Sequence, residues 1–288
     1  MKRILIQLDT DPQPSSFDRV VAVDSDIDEL FSYGNITPDN VEPLVHGAMF
    51  TRGPKDLQNT AIFVGGSNVA AGEAVMQRVL KTFFGPIRVS VMMDANGSNT
   101  TAAAAVIAAG RHVELKRAEA LVLAGTGPVG QRAAQLLAES GASVRVASRT
   151  LEKARRTCDS IANVVPGCQL TACQTGTEDE LRSACKSVEV IIAAGAAGKQ
   201  LLSESLRVSL TDLKVAIDLN AVPPLGLEGV DFADKATEKQ GVICYGAIGV
   251  GGTKMNIHKA SLKRLFESND QVLDTNAIYQ IGLALEAK

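Results

Sequence analysis

The stretch that decides the fold runs from residue 121 to residue 130 and reads Leu-Val-Leu-Ala-Gly-Thr-Gly-Pro-Val-Gly. Its four apolar residues predict a buried strand, and the Ala- and Leu-rich residues that follow predict a helix. Between them, residues 125–130 form a glycine turn of the pattern G-x-G-x-x-G. Such a turn is a weak signal alone, but one that joins a strand to a helix is typical of a Rossmann-type domain.

Each glycine of the turn has a predicted role. Gly125 permits the tight turn, Gly127 lets the backbone approach a pyrophosphate, and Gly130 lets the helix lie close to the strand. The free N–H groups at the start of the helix bind phosphate oxygens. We therefore expect a dinucleotide to contact the whole turn: Gly125, Thr126, Gly127, Pro128, Val129 and Gly130.

The residues that follow the next predicted strand, 143–147, distinguish a site for NAD from a site for NADP. NAD-binding proteins usually carry Asp or Glu there, and that carboxylate would repel a 2′-phosphate. Here the residues are Ser148, Arg149 and Thr150, with Lys153 one turn further on. A guanidinium binds phosphate bidentately and hydroxyls donate to its oxygens, so the sequence predicts NADP. Three positions after later predicted strands are expected to contact the same cofactor: Gly195, Asn220 and Ile248.

Strands and helices alternate twice along the 288 residues, first over 1–95 and again, more strongly, from residue 119. This pattern predicts an α/β protein: a Rossmann-type doubly wound parallel sheet domain plus a smaller α/β substrate domain, with a cleft between them. We place the substrate domain at 1–100 with a C-terminal helix at 266–288, and the NADP-binding domain at 101–265. Residues 246–252 are predicted to be a flexible glycine-rich turn near the nicotinamide, followed by a helix from about Thr253.

Composition excludes several classes of function. The net charge of −3 offers no basic face for nucleic acid or an anionic membrane. No apolar run approaches the roughly 20 residues of a membrane span. The five cysteines have no C-x-x-C spacing, so we expect neither a metal site nor a disulfide framework, but reduced thiols in a cytoplasmic protein.

Polar residues at predicted strand ends and helix starts of the first domain are candidates to face the nicotinamide. They include Asp18 and the tract 94–101, which has more hydrogen-bonding groups than helix capping needs. Within the tract we expect Asn96, Ser98, Asn99 and Thr100 to bind substrate. Lys254, after two glycines, is expected to bind an anionic or carbonyl group.

The three histidines, His46, His112 and His258, are isolated in the sequence and are predicted to be structural. Oxidation of an alcohol or hydroxy acid normally needs a proton acceptor, and the sequence displays none. A hydride transfer that needs no proton transfer therefore fits this chain better.

Seven segments spread along the chain share one family's pattern: 9–18, 33–40, 51–53, 61–66, 94–101, 123–130 and 265–268. Together they resemble the bacterial NAD(P)-dependent methylene-tetrahydromethanopterin dehydrogenases of one-carbon metabolism. The resemblance runs nearly from end to end and is far more specific than the glycine turn.

The resemblance implies reversible oxidation of a methylene-tetrahydropterin to the methenyl cation, with direct hydride transfer to NADP+. Methylene-tetrahydrofolate is a second substrate of some relatives, and a homo-oligomer is implied as well. The product cation is stabilised by its own two nitrogens, which agrees with the lack of a general base. As catalytic groups we expect Asp18 and Asp94 to position the pterin or stabilise its positive charge, and Lys254 to orient it.

Two other interpretations remain open. One is an enzyme like shikimate dehydrogenase or the folate methylene dehydrogenase/cyclohydrolases, which also join a small α/β domain to an NADP domain. The cyclohydrolase pattern Tyr-x-x-x-Lys is not seen, because Thr37 follows Tyr33 and Gly249 follows Tyr245 at that spacing. The other is a module that senses NADP without turnover, against which the polar tract 94–101 argues.

Overall fold

The computed structural model describes residues 1–287 and divides the chain into two compact units. The first unit consists of Met1–Thr100 together with the residues from Met255 onward, and the second consists of Thr101–Lys254. Residues 255–265, which the sequence analysis placed with the nucleotide-binding domain, lie in the first unit. The second unit is thus an insertion within the first.

The strands and helices follow in chain order. The strands are β1 (Ile4–Asp9), β2 (Glu29–Tyr33), β3 (Thr60–Gly65), β4 (Ser90–Met93), β5 (Glu119–Leu123), β6 (Ser143–Ser148), β7 (Gln169–Gln174), β8 (Val190–Ala193), β9 (Val215–Asp218), β10 (Lys235–Lys239), β11 (Val242–Tyr245) and β12 (Val272–Leu273). The helices are α1 (Ser16–Val23), α2 (Glu42–Phe50), α3 (Val69–Thr82), α4 (Ser98–Gly110), α5 (Pro128–Glu139), α6 (Leu151–Val164), α7 (Glu178–Ala184), α8 (Glu204–Val208), α9 (Ala247–Arg264) and α10 (Thr275–Glu286). In the described part of the chain, no helix has the length and apolar character needed to span a membrane.

The first unit is built on a parallel sheet, which over the described residues has the strand order β12-β4-β3-β1-β2. Alternate side chains of β1 and β3, such as Ile6 and Ile62, enter one apolar core with residues of α2 and α3. Periodicity alone does not decide between helix and strand near residues 17–23. The structure has a helix there, because the Ser15 hydroxyl accepts a hydrogen bond from the Asp18 N–H and caps it.

The second unit has the strand order β10-β11-β9-β8-β5-β6-β7 over the described residues. All its paired strands are parallel except β10, which runs antiparallel to β11. The order reverses between β5 and β8, and this is the Rossmann-type doubly wound arrangement that the sequence predicts. Ligands of such sheets bind beyond the carboxyl ends of the strands at that reversal.

The glycine-rich segment 246–252 is not the flexible turn that the sequence suggested, because α9 already begins at Ala247. Two of its four glycines, Gly246 and Gly249, permit close packing. A Cβ on Gly249 would lie 1.7 Å from the Asp234 carbonyl oxygen, and one on Gly246 would lie 2.1 Å from that of Asp231. The N–H groups of Gly246 and Ile248 donate to carbonyls of the same loop, so they are occupied within the chain.

Candidate functional site

The glycine turn between β5 and α5 is packed against backbone at two of its three glycines. A Cβ on Gly125 would lie 2.9 Å from the Val122 carbonyl oxygen. One on Gly130 would lie 2.7 Å from the Ala124 oxygen and 2.8 Å from the Gly125 Cα. Backbone cannot yield as a flexible side chain does, so both positions require glycine for the fold itself.

Gly127 differs from its neighbours because nothing in the chain requires a glycine there. Its φ of −79° suits any residue, and an added Cβ would find its nearest neighbour, the Ala124 oxygen, at 3.6 Å. The missing side chain therefore leaves space for a group from outside the chain. Beside it, the first turn of α5 presents the N–H groups of Val129 and Gly130, which helix geometry leaves without intrahelical acceptors. These features fit the pyrophosphate of a dinucleotide.

The end of β6 presents positive charge where an NAD-binding protein has a carboxylate. Ser148 is buried, whereas Arg149, Thr150 and Lys153 are exposed. Neither Arg149 nor Lys153 has an ion-pair partner among residues 1–287. The one acid of the first helical turn, Glu152, pairs with Arg156 on the same helix, and both side chains are exposed.

A hollow of about 300 Å³ is lined by residues that follow β7 and by residues of the segment 200–206. One wall is Thr175, whose N–H donates to the Ser148 carbonyl at 2.9 Å. Another is Leu201, whose Cδ1 lies 2.8 Å from where a Cβ of Gly195 would be. The hollow thus adjoins two predicted cofactor positions, Ser148 and Gly195. Its lining combines apolar and hydroxyl side chains with Glu178 and Gln200, and apolar clefts with a few polar groups are typical of small-molecule sites. The sequence analysis missed Thr175 and Leu201, because no motif marks them.

Asn220 and Ile248, predicted to contact the cofactor, differ in what they offer. The Asn220 side chain accepts from the Val222 N–H at 3.0 Å and donates to the Pro224 carbonyl at 3.2 Å. Its hydrogen bonds organise its own loop, so its amide is committed within the chain. Ile248 in the first turn of α9 is 61% exposed, and its side chain is available for apolar contact with a ring.

Asp94 is fully buried and caps α4 instead of facing solvent. One carboxylate oxygen accepts from the N–H groups of Asn99 and Thr100 at 2.9 and 3.0 Å, and the other accepts from the Thr100 hydroxyl at 2.6 Å. These bonds satisfy N–H groups that a helix start leaves without partners. The geometry therefore gives Asp94 a structural task, and its contact with substrate stays a prediction.

The polar tract around Asp94 is likewise turned inward, except at one residue. The Ser98 hydroxyl donates to the Ala95 carbonyl, and the Asn99 amide donates to the Met93 carbonyl at 2.6 Å. Both side chains are buried, as is that of Thr100. Asn96 is exposed and has a left-handed φ of 54°. Of the four predicted substrate-binding residues, Asn96 alone presents its side chain to solvent.

Two carboxylates flank Gly65 at the carboxyl end of β3. A Cβ on Gly65 would lie 3.3 Å from an Asp9 oxygen and 3.8 Å from an Asp18 oxygen. Asp9 is buried and accepts from the N–H groups of Asp11 and Ser15 at 2.9 and 3.0 Å. Asp18, in the first turn of α1, is partly exposed. This concentration of negative charge suits a substrate that carries N–H donors or gains positive charge.

Lys254 lies inside α9, which begins at Ala247 and not at about Thr253 as the sequence predicts. His258 is fully buried, and its ring stacks on Phe63 with centroids 5.8 Å apart. His112 shares a hydrogen bond of 2.9 Å with the Tyr245 hydroxyl, and burial lowers the pKa of its imidazole. His46 lies beside Glu42 on α2. The predicted structural role of His258 agrees with this packing.

Burial raises the thiol pKa of four cysteines: Cys158, Cys173, Cys185 and Cys244. Burial raises the pKa of the Cys158 and Cys185 thiols to about 11, so both are protonated at neutral pH. The reactive form of cysteine is the thiolate. Burial thus keeps these two thiols in their less reactive form.

Two family models match the chain, one in each of its two units. Residues 16–96 match the family model "Methylene-tetrahydromethanopterin dehydrogenase, N-terminal", and residues 106–224 match "Shikimate / quinate 5-dehydrogenase". The NAD(P)-dependent methylenetetrahydromethanopterin dehydrogenase of Methylorubrum extorquens is 28% identical, over 94% of each chain. The bifunctional protein MdtA of the same organism is 46% identical, over 98% of each chain. The chain belongs to the methylene-tetrahydromethanopterin dehydrogenase family.

The family assignment agrees with a solved structure at the level of fold. Shikimate 5-dehydrogenase from Listeria monocytogenes, determined with shikimate and NAD, has a TM-score of 0.52 and covers 97% of this chain and 96% of its own. Its sequence identity is 12%, so this likeness concerns the fold alone. The match of residues 106–224 to the shikimate / quinate 5-dehydrogenase model falls within the second unit. It therefore reflects the shared fold of the nucleotide-binding unit.

Proposed function

We propose that this chain catalyses reversible hydride transfer from methylene-tetrahydromethanopterin to NADP+, giving the methenyl form. The observation that carries the proposal is 46% identity over 98% of the chain to a member of this family. We assign the pterin to the first unit and NADP to the second. Methylene-tetrahydrofolate is proposed as an alternative substrate.

The residues of the first unit suit a reaction without proton transfer. The methylene carbon loses a hydride, and the resulting positive charge spreads over the two nitrogens that flank it, so no base is required. Bound NADP+ supplies the hydride acceptor. The carboxylates of Asp9 and Asp18 beside Gly65 favour positive charge in their neighbourhood. The remaining task of the protein is to hold donor and acceptor in register, which contributes up to roughly 7–11 kcal/mol in favourable cases.

Gly127 provides a test of dinucleotide binding that leaves the fold intact. We expect Gly127→Ala to weaken NADP+ binding about tenfold or more, because the methyl group occupies the space left for the pyrophosphate. The melting temperature should change by no more than about 3 °C, since the new Cβ meets only ordinary contacts. Isothermal titration calorimetry and thermal unfolding measure the two effects.

Gly130→Ala is the matched control for that experiment. Its Cβ meets backbone at 2.7 and 2.8 Å, so we expect a loss of about 1–3 kcal/mol in the free energy of unfolding. Normal NADP+ affinity in a stable Gly127→Ala variant would show that the space beside Gly127 does not hold the pyrophosphate.

The reaction itself is tested by an assay that crosses two reduced pterins with two nicotinamide cofactors. We expect NADPH absorbance to appear with methylene-tetrahydromethanopterin, more weakly with methylene-tetrahydrofolate, and more slowly with NAD+ in either case. Hydrolysis of the methenyl product should not exceed the spontaneous rate. If neither pterin yields reduced cofactor while NADP+ still binds, the chain is an NADP sensor and the proposal is wrong.

A homo-oligomer is a further part of the proposal. Strand β2 forms the outer edge of the first sheet, and its Phe31 and Tyr33 side chains are 45% and 39% exposed. Apolar side chains on an exposed edge strand are typical of surfaces that a second copy covers. Light scattering should give a mass above that of one chain, and Phe31→Glu should lower it.

We also propose that the protein acts in the cytoplasm. Cys158, Cys168 and Cys173 are free thiols that are only partly buried, and such thiols stay reduced in that compartment. We propose no nucleic-acid or membrane partner, given a net charge of −3 with scattered basic residues. Fractionation of cells followed by detection of the chain tests the compartment.

A further inference from the structure

Phe17 is an aromatic residue whose ring is only partly covered by the rest of the chain. It lies in the first turn of α1, next to Asp18, and its side chain is 51% exposed. An uncovered ring face can stack on a flat aromatic ligand, and the next residue, Asp18, supplies a carboxylate that can accept hydrogen bonds. No motif in the sequence marks Phe17.

The position of Phe17 is fixed from two directions. The backbone just before it is held by the buried Asp9 carboxylate, which accepts from the Ser15 N–H at 3.0 Å. The ring itself packs on the His258 imidazole, with centroids 6.4 Å apart and planes tilted by 35°. His258 in turn stacks on Phe63. The three rings form a series that begins in the core at β3 and ends at the exposed Phe17.

We propose that the exposed face of Phe17 is a stacking platform for the pyrimidinone ring of the substrate's pterin, an inference that rests on the function proposed above. The pyrimidinone ring is flat and rich in π electrons, and it carries N–H donors along one edge. A ring face for stacking and the carboxylate of the adjacent Asp18 match these two properties. Phe17 is thus a substrate-binding residue, and the packing of His258 keeps its ring in place.

The first experiment replaces Phe17 and measures steady-state kinetics of the full chain. We expect Phe17→Leu, which keeps apolar bulk but removes the ring, to raise the KM for the methylene-pterin about tenfold. The KM for NADP+ of this variant should stay within about twofold of the wild-type value. Phe17→Tyr keeps an aromatic ring, so its KM for the methylene-pterin should equal that of the wild-type chain. Phe50→Leu is the matched control, because Phe50 is 60% exposed at the far end of α2 and should leave both constants unchanged.

The second experiment measures binding without turnover and uses the lack of tryptophan in this chain. The Phe17→Trp variant carries a single indole, whose fluorescence a stacked pterin should quench in a saturable manner. In the Phe50→Trp variant, the pterin should lower the indole fluorescence only by absorbing light. This decrease should not saturate as the pterin concentration rises. Tetrahydromethanopterin and tetrahydrofolate serve as the probes.

The outcomes separate this inference from the proposed function. If the wild-type chain turns over a methylene-pterin but Phe17→Leu has an unchanged pterin KM, the stacking platform is wrong and the function stands. The same holds if Phe17→Leu changes only the mass found by light scattering, which would place Phe17 in an interface between copies. If the wild-type chain shows no turnover, the proposed function fails. Saturable quenching in Phe17→Trp would then still support pterin binding at this face.

Discussion

Replacing Arg149 with alanine is expected to raise the KM for NADP+ by about 10- to 150-fold while the KM for NAD+ changes by less than about threefold. The range corresponds to the loss of hydrogen bonds between a guanidinium and a phosphate. Arg149 is exposed at the end of β6 and has no ion-pair partner in the described residues. Its charge is therefore available to a 2′-phosphate, which NAD+ lacks. Steady-state kinetics with each cofactor at saturating pterin measures the difference.

Arg156→Ala is the control for the loss of one positive charge nearby. Arg156 lies on the same helix but is paired with Glu152, so we expect its removal to change the KM for NADP+ by no more than about threefold. Equal increases in both KM values for Arg149→Ala would mean that Arg149 does not hold the 2′-phosphate. Cofactor preference would then depend on Ser148, Thr150 and Lys153.

Replacing Asp94 with alanine is expected to lower the free energy of unfolding by about 3–5 kcal/mol. Three hydrogen bonds to a fully buried carboxylate are lost, and the N–H groups of Asn99 and Thr100 remain buried without an acceptor. Urea unfolding followed by circular dichroism measures the change. Asp39→Ala, at an exposed loop position, should alter stability by no more than about 0.5 kcal/mol.

Activity of the same variant decides what Asp94 does. A stabilising role predicts that Asp94→Ala, where it remains folded at low temperature, retains kcat close to that of the wild-type chain. A variant of normal stability that has lost turnover would contradict the capping role. Asp94 would then belong with the catalytic carboxylates that the sequence suggested.

The sequence predicts the elements of the second unit well where strands are buried and poorly where they are not. Strands β5 and β8 are continuous apolar runs, because both faces of a doubly wound sheet are covered. Strand β7 reads Gln-Leu-Thr-Ala-Cys-Gln and is half exposed at one edge of the sheet, and β10 is nearly all polar. Neither has a signal that distinguishes it from a loop. At the start of α9, the glycines of 246–252 predict a flexible turn, whereas Gly246 and Gly249 are required by packing against the 231–234 loop.

The sequence predicts the candidate site where a motif fixes the relative positions of its residues. The glycine turn and the end of β6 stand a fixed distance apart in a strand–helix–strand unit, so their residues are expected together. The tract 94–101 has no such constraint, and its polar groups satisfy one another inside the protein. Thr175 and Leu201 line the hollow beside Ser148 and Gly195. They are distant from the glycine turn in the sequence and belong to no motif, so the folded structure is needed to identify them.

The insertion of the second unit within the first sets an order for biosynthesis. Strand β4 pairs with β12, and the Ser90 hydroxyl donates to the Ser268 carbonyl at 2.9 Å. These two residues are 178 positions apart in the sequence, and the second unit lies between them in the chain. The nucleotide-binding unit is complete once Lys254 has emerged from the ribosome. The sheet of the first unit keeps an open edge at β4 until residues 272–273 follow. Chains that terminate early would thus carry a finished dinucleotide site beside a sheet still exposed to aggregation.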